Sequence, residues 1–334
     1  FYEYYGKRLG HVRVLQPFKP TCHLMLVFDA FNGQEAKQMR NFWSQYVQTT
    51  GELYRSRSLR FHDGNKDLWL RAIGAKCGDH VLEVGCAGGA FCHRLLQYRP
   101  GIQMTGLDRD AGHIAFAREK TRTLGLHCDF VNADATAMPF ADRTFDVCFS
   151  HTVAEHVPHE PFFEEQFRVL KPGGRISVLS VRSRLGVKEN GAPVSAAEQA
   201  LIEKAWNGSD RFPGSETIGA FEMDEHQYPR DLEKAGFVDV NVSLFTVMDY
   251  APDNASVSDM LAVEQIECRR LNSIDAVRKA LHINPCALSR AEQLELFTLI
   301  NARFDKRIAQ YHAGERLWDF SSITVLVAEG IKPC

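Results

Sequence analysis

The chain has 334 residues, of which 45% are hydrophobic and 24% are charged, and its formal net charge is −3. This is the composition of an ordinary globular protein, long enough for one large domain with insertions or for two domains. The mild acidity argues against nucleic acid as a partner, and no apolar run approaches the ~18 residues of a transmembrane helix. We therefore expect neither nucleic-acid binding nor a membrane segment.

Nine cysteines are scattered along the chain, and no two of them form a C-x-x-C pair. The sequence therefore signals neither a zinc site nor a redox dithiol, and no metal is expected. The first residues, "FYEYYGKRLG", lack the basic-then-apolar order of a secretory signal. A reducing cytoplasm is the simplest location for such cysteine usage.

The N-terminal part of the chain differs in pattern from the rest. Within residues 1–35, "HVRVLQ" and "CHLMLVF" are compatible with strands, whereas residues 36–73 have helical periodicity. We assign residues 1–74 to an N-terminal extension and helical cap. Tyr46, Tyr54 and Phe61 in this region are candidate lid residues.

From about Asp79 the chain alternates short apolar runs with helical patterns. The predicted strands are "HVLEVGC", "IQMTGLD", "LHCDFVNAD", "TFDVCFSH" and "RISVLSV", and the predicted helices between them are "AFCHRLLQYR", "AGHIAFAREKTRTLG" and "EPFFEEQFRVLK", the last broken by "PGG". This alternation predicts an α/β fold in which a mostly parallel sheet has helices on both faces.

The predicted core runs over residues 75–249 and includes a polar insertion, 182–224, that we interpret as a lid with one helix, "SAAEQALIEKAW". The helix "PRDLEKAGF" and the strand "VDVNVSLF" then continue the core. Residues 250–320 are mostly helical and form a second cap. Residues 321–334 contain the last core strand, "SSITVLVAEG", and the tail.

Ligands of such sheets bind outside the carboxyl ends of the strands. The order of elements therefore places the glycine turn after the first strand, Asp108, Asp134 and Ser150 on one rim.

The turn lies in "VLEVGCAGGAF", residues 81–91, and lacks the G-x-G-x-x-G spacing of a pyrophosphate site. Glu83 would repel a pyrophosphate but suits an ammonium group, while the N-terminus of the next helix attracts a carboxylate. A ligand with both groups is an amino acid. The alternative is a tight strand-to-helix turn without a ligand.

Two acids come after the next strands. Asp108 ends "MTGLD" at about the separation from the glycines at which an acid accepts hydrogen bonds from ribose hydroxyls. Asp134 ends the predicted third strand, where a carboxylate can accept from the amino group of adenine. Each acid taken singly could be a helix cap or turn residue. Together with the glycine turn they describe an adenosine joined to an amino acid.

These residues resemble the class I S-adenosylmethionine-dependent methyltransferases, and most of all the small-molecule branch of the ubiquinone/menaquinone-biosynthesis type. "VLEVGCAGGAF" is similar to the family's E/D-x-G-x-G-x-G motif, except that Ala87 replaces the middle glycine. "GLDRD", "NADATAMPFADRTFDVCFSHTVAEHV" and "RVLKPGGRISVLS" resemble the family's later motifs. The close resemblance covers roughly residues 75–181.

The resemblance implies a Rossmann-like seven-stranded sheet with the last strand inserted antiparallel. It also implies that S-adenosylmethionine is the cofactor and S-adenosylhomocysteine the product. The implied cofactor-binding residues are Glu83, Gly85, Ala87 and Gly89 at the methionine part, Asp108 at the ribose, Asp134 with Ala135 at the adenine, and Ser150 with His151 under the sulfonium and methyl. Cys86 and Arg109 are further cofactor-binding candidates. Cys86 is interpreted as a packing residue.

Methyl transfer needs a general base only if the acceptor must lose a proton. His151, Glu155 and His156 in "SHTVAEHVPHE" are the candidates, and each also has a purely structural interpretation. We expect a small-molecule acceptor and a monomer or homodimer. The alternatives are a methyltransferase acting on RNA or protein, and a cofactor-binding protein without transferase activity.

Overall fold

The structure is a computed structural model that describes residues 48–187, 192–207 and 219–334. The strands predicted within residues 1–35, the candidate lid residue Tyr46 and parts of the 182–224 insertion lie outside the described residues.

The elements alternate between strands and helices as predicted. The helices are α1 Thr50–Arg60, α2 Lys66–Ile73, α3 Ala90–Tyr98, α4 Ala111–Leu124, α5 His159–Val169, α6 Ala196–Trp206, α7 Gln227–Lys234, α8 Asp259–Ile283 and α9 Arg290–His312. The strands are β1 His80–Val84, β2 Gln103–Asp108, β3 Asp129–Asn132, β4 Phe145–His151, β5 Leu170–Val181, β6 Val238–Tyr250 and β7 Ser321–Ile331. Short 3₁₀ turns cover Ala154–His156 and Ser183–Leu185.

Within the described residues, seven strands form one sheet in the order β3-β2-β1-β4-β5-β7-β6. Strands β1 to β5 pair in parallel, and β7 lies between β5 and β6, antiparallel to both. The strand order changes direction between β1 and β4, which is where ligands bind in open α/β sheets. The predicted α/β fold with an inserted antiparallel last strand is confirmed.

The central strands are buried on both faces, as expected for a parallel sheet covered by helices. One apolar cluster, which includes Trp69, Phe91 and Phe149, lies against one face of the sheet. A second cluster, which includes Phe145 and Phe162, lies against the other face. Apolar side chains thus pack against the sheet from both sides.

Local sequence signals fix where several helices begin and end. The Asp110 carboxylate accepts hydrogen bonds from the N–H groups of Gly112 and His113 and so caps α4, which ends at the left-handed Gly125. Ser289 and Glu292 form a capping box at the start of α9.

Two predicted boundaries were wrong. The third strand ends at Asn132, so Asp134 lies in the turn after the strand rather than at its end. The helix α5 ends at Val169 and "KPGG" already belongs to β5, where the register with β4 shifts between Phe145 and Val147. The glycines of this segment form an irregularity within a strand rather than a separate turn, because the neighbouring strand still pairs with Leu170.

The helices α6, α8 and α9 share an apolar cluster that includes Ile266, Leu296 and Phe304, together with Tyr250 at the end of β6. This cluster joins the helix of the predicted lid insertion, α6, to the two helices of the predicted second cap. None of the described helices is long and apolar enough to cross a membrane.

A buried ion network ties α9 to the chain on either side of the second cap. The Arg307 guanidinium lies 2.6 Å from Asp319 and 2.8 Å from Asp253, and Tyr250 donates a hydrogen bond to Asp319. Asp319 precedes β7, so the network anchors the entry of the last strand. The side chain of the neighbouring Trp318 is 58% exposed, whereas its backbone N–H donates a hydrogen bond of 2.8 Å to the Asp253 carboxylate.

We predict that Arg307→Met lowers the free energy of unfolding by roughly 3–5 kcal/mol, because Asp253 and Asp319 would remain buried without a counter-charge. Chemical denaturation measures the change. The matched variant Arg290→Met, at an exposed position of the same helix, should change stability by less than about 0.5 kcal/mol. Equal effects of the two variants would contradict the structural role of the network.

Candidate functional site

A cavity of about 390 Å³ lies at the carboxyl ends of the central strands. Its wall is formed by the turn after β1, the end of β2, the turn after β3, the segment after β4 and one side of α1. Its size is in the range of small-molecule sites. Residues from these separate elements meet at the cavity because parallel strands bring their carboxyl ends to the same edge.

The turn after β1 is a left-handed bend that only small residues allow. Gly85 has φ +74°, and an added Cβ would lie 2.4 Å from Val153 Cγ2. Its N–H and that of Cys86 donate to the carbonyl oxygen of Leu107 on β2. Gly89, also left-handed, is the N-cap of α3. Gly89 does not line the cavity, whereas Gly85, Cys86 and Ala87 do.

Ala87, the departure from the family's glycine pattern, has φ +46°. The left-handed region is unfavourable for a residue with a Cβ, so the turn keeps its shape at some cost in strain. Thr152, on the opposite wall, is also left-handed, with φ +56°. Backbone strain of this kind persists where the surrounding structure holds it, often at functional sites.

We predict that Ala87→Gly raises the free energy of unfolding by about 1 kcal/mol, because relief of left-handed strain exceeds the entropy cost of the glycine. Thermal or urea unfolding measures this change. Ala115→Gly, at an exposed position inside α4, should instead lower stability by about 1 kcal/mol. Destabilisation by Ala87→Gly would contradict the strain.

Asp108 joins the ends of β1 and β2. Its Oδ2 accepts a hydrogen bond of 2.8 Å from the N–H of Ala87, and its Oδ1 accepts one of 2.8 Å from the N–H of Asp110. The carboxylate lines the cavity and retains lone pairs for further donors. Arg109 and Ala135 also line the cavity.

His113 is a residue of this site that the sequence reasoning missed. It lines the cavity, is buried, and its Nδ1 lies 3.4 Å from Asp108 Oδ1. Burial lowers the pKa of His113, but the hydrogen bond and charge of Asp108 and the charge of Asp110 outweigh burial, so the pKa is above its ordinary value. The signal in the sequence was the position of His113 three residues after the N-cap Asp110, which places it in the first turn of α4 near the end of β2.

Asp134 lies at the cavity mouth and is exposed. Its Oδ1 accepts hydrogen bonds from the backbone N–H and the hydroxyl of Thr136, and these bonds lower the pKa of the carboxyl. The acid is therefore ionised at neutral pH and able to accept from a further donor.

Glu83 is buried at the base of the turn and lines the cavity. The Cys92 thiol donates to its Oε2 at 2.9 Å. Burial raises the pKa of the Glu83 carboxyl to about 8, so the acid is mostly protonated at neutral pH in the absence of a cation. Burial also raises the pKa of Cys86 to about 12, which supports its interpretation as a packing thiol.

The pKa of Glu83 predicts a pH dependence for any ligand that places an ammonium group on this carboxylate. Such a ligand binds the ionised acid, so below pH 8 binding releases a proton and affinity falls as pH falls. We expect the affinity for S-adenosylhomocysteine to rise about ten-fold from pH 6 to pH 7, the slope for release of one proton.

Calorimetry at several pH values measures this dependence. The control ligand 5′-methylthioadenosine has no amino-acid part and corrects for the titration of His113 near Asp108. In the Glu83→Gln variant, the affinities of the two ligands should depend on pH in the same way. Parallel pH profiles of the two ligands in the unmodified protein would contradict the assignment of Glu83.

The candidate catalytic residues take different positions. His151 and His156 line the cavity, whereas Glu155 does not and instead accepts hydrogen bonds from Ser180 and Tyr228. Ser150 is fully buried inside β4 and is not part of the cavity wall. Its hydroxyl has no hydrogen-bond partner among the described residues.

Burial lowers the pKa of both histidines, so both are neutral at pH 7. For His151 the lowering is large, and the charges of Arg57 and Arg60 add to it. The Nδ1 of His156 accepts a hydrogen bond of 3.3 Å from the N–H of Gly219. A neutral imidazole at the cavity wall can accept a proton or donate a hydrogen bond.

The helix α1 adds residues that sequence reasoning could not place. Tyr54, a candidate lid residue, lines the cavity and its hydroxyl lies 3.1 Å from His93 Nδ1. Phe61 instead packs in the core between Trp69 and Phe91. Arg57 and Arg60 also line the cavity. No motif in the sequence pointed to these two arginines.

Comparison with known proteins bears on the same part of the chain. Residues 82–178 match the family described as "Methyltransferase domain". This segment contains the motifs quoted from the sequence, so their resemblance to methyltransferases is confirmed for this segment.

Among curated relatives, the chain is 35% identical over 133 residues to a fatty-acid O-methyltransferase of Mycolicibacterium smegmatis, covering 39% of this chain and 47% of the relative. It is 34% identical over 105 residues to a demethylmenaquinone methyltransferase of Thermus thermophilus, covering 31% and 48%. The chain thus spans about half the length of the curated relatives it matches.

Among solved structures, a phosphoethanolamine N-methyltransferase 2 of Haemonchus contortus aligns with 89% of this chain and 60% of its own, at 17% identity and a TM-score of 0.48. That protein was solved with phosphomonomethylethanolamine and S-adenosylhomocysteine.

Proposed function

We propose that this chain transfers a methyl group from S-adenosylmethionine to a small-molecule acceptor. The observation that carries the proposal is the meeting of Glu83, Asp108 and Asp134 at one cavity beside the left-handed turn. A buried carboxyl suited to a cation, an acid at the end of β2 and an acid beyond β3 match the ammonium, ribose and adenine of the donor in that order.

The residues present fit this donor. Glu83 gains a counter-charge when an ammonium group arrives, which stabilises its ionised form. The N-terminus of α3 suits the carboxylate of the same amino acid. Asp108 keeps lone pairs for the two ribose hydroxyls, and Asp134 with Ala135 remains assigned to the adenine. Ser150 and Gly89, which do not line the cavity, would then act by packing against the residues that do.

The bound donor supplies an activated methyl group for in-line displacement. The chain's own contribution is to align the acceptor with that methyl and to exclude water, which can supply ~7–11 kcal/mol of the barrier. Because His151 and His156 are neutral at pH 7 and line the cavity, either can accept a proton from an acceptor that must lose one. Glu155, held by Ser180 and Tyr228, is suited to positioning the segment after β4.

The proposed acceptor is a small molecule. The curated relatives from Mycolicibacterium smegmatis and Thermus thermophilus are named for fatty-acid and demethylmenaquinone substrates, which supports this class. The caps at residues 1–74, 182–224 and 250–320 are proposed to select the acceptor, because function in such folds is carried by segments added to a fixed scaffold. We keep a cytoplasmic location, and a monomer or homodimer, as part of this proposal.

We predict that Asp108→Asn weakens the binding of S-adenosylhomocysteine at least ten-fold, since a charge-assisted hydrogen bond contributes about 1.5–3 kcal/mol. Calorimetry on the folded variant measures the change. Asp129→Asn, at an exposed position of β3, is the matched control and should bind normally.

The same titration with NAD separates the proposal from a dehydrogenase. NAD should give no measurable binding, because the turn after β1 lacks the G-x-G-x-x-G spacing of a pyrophosphate site. Binding of NAD in place of S-adenosylhomocysteine, or an unchanged affinity in Asp108→Asn, would contradict the proposed function.

A further inference from the structure

Two arginines of α1 face the cavity although no motif predicted them. Arg57 and Arg60 are three residues apart, so they lie on the same side of the helix, and both line the cavity. Arg55, on the same helix, lies outside the cavity wall and pairs with Asp275 at 2.6 Å. One arginine of this helix therefore forms a structural ion pair, whereas the other two lie at the site.

Neither guanidinium at the cavity has a carboxylate within salt-bridge distance in the part of the chain that the structure describes. Arg57 donates a hydrogen bond of 3.2 Å to the Ser56 hydroxyl. The acid that acts on Arg60, Asp249, accepts from Ser321 at 2.8 Å and lies 3.4 Å from Arg269. Burial lowers the pKa of both arginines, which is the mark of cations removed from water without a full counter-charge.

His151 completes this side of the cavity. It is 6% exposed, and its Nε2 has no hydrogen-bond partner among the described residues. Its ring is held by Trp69 and Phe91, at 5.3 Å and 4.9 Å between ring centroids. A buried nitrogen left without a partner costs free energy unless a ligand satisfies it.

The charge balance of the cavity indicates what this ligand carries. Glu52 and Glu83 act on Arg57 through space, and Glu83 is mostly protonated at neutral pH until an ammonium group ionises it. The donor of the proposed reaction brings one carboxylate, for which the N-terminus of α3 is available. Arg109 acts on Asp134, so the guanidiniums of Arg57 and Arg60 remain for an anion of the second substrate.

We propose that Arg57, Arg60 and His151 form an anion-binding site for the acceptor, so that the substrate is a small organic acid with a carboxylate or phosphate group. This inference rests on the proposed function and names its substrate class. Guanidinium groups bind either anion through paired hydrogen bonds, and a neutral imidazole donates one more. Leu53, Val157 and Val181 line the same cavity and suit an apolar body attached to the acid.

The experiment measures binding of three probes that share one chain: octanoate, octyl phosphate and octanol. Each is titrated by calorimetry into protein saturated with S-adenosylhomocysteine, so that the donor's carboxylate position is already filled. We expect at least one acid to bind at least ten-fold more tightly than octanol. Comparison of the two acids distinguishes a carboxylate site from a phosphate site.

Arg57→Gln and Arg60→Gln should each weaken the acid at least ten-fold, as expected for loss of a charged hydrogen bond. Octanol should bind the variants as it binds the unmodified protein. Arg55→Gln is the matched control on the same helix and should leave all three probes unaffected. Arg57→Lys should restore part of the acid affinity if charge rather than packing is responsible.

A second comparison tests whether the arginines instead hold the donor. Such a contact would make Arg57→Gln and Arg60→Gln weaken S-adenosylhomocysteine but not 5′-methylthioadenosine, and would overturn the inference. Equal binding of octanol and the acids would overturn it as well. If S-adenosylhomocysteine does not bind at all, the proposed function fails, and the acid probes titrated into the free protein still decide the anion site by the same variants.

Discussion

The contact on which the site depends is the hydrogen bond from the Ala87 N–H to the Asp108 carboxylate, at 2.8 Å. It joins the turn after β1 to the end of β2, and the carbonyl of Leu107 accepts from Gly85 and Cys86 beside it. Because the two strands are also paired along their length, the turn cannot shift without the acid that ends the neighbouring strand. The bend and the carboxylate therefore present themselves to a ligand as one rigid unit.

Several ionisable groups of the cavity have no partner of opposite charge, and a ligand could supply those charges. Burial keeps Glu83 mostly neutral at pH 7, while Arg57 and Arg60 are cationic without paired carboxylates among the described residues. Towards the mouth, Asp134 is ionised. Burying charge without compensation is costly, so such an arrangement is retained where a substrate supplies the missing groups.

The sheet and one half of the site could be predicted from sequence because they depend on local patterns. The alternation of strands and helices fixes the order of elements, and Glu83, Gly85 and Asp108 belong to motifs confined to a strand and the turn after it. Asp134 was assigned to the correct edge, although the strand ends two residues earlier. The cavity contains these residues as expected from the meeting of strand ends.

The other half of the site depends on contacts between distant parts of the chain. Arg57 and Arg60 reach the cavity only because α1 packs across the strand ends, and nothing in their own helix distinguishes them from Arg55. Glu155 was a catalytic candidate by its position after β4, but Tyr228, 73 residues further along the chain, binds its carboxylate. The sequence did not reveal His113 as a site residue for the same reason, because its contacts with Asp108 and Asp110 are seen only in the folded structure.

A crystal structure of the protein with S-adenosylhomocysteine would show directly whether the acids at the carboxyl ends of the strands hold the ligand. We expect the ribose hydroxyls within hydrogen-bond distance of Asp108, the ammonium group on Glu83 and the adenine beside Asp134. A ligand bound away from the carboxyl ends of β1 and β2, or one bound there with Asp108 and Glu83 turned away from it, would rule out the proposed donor site.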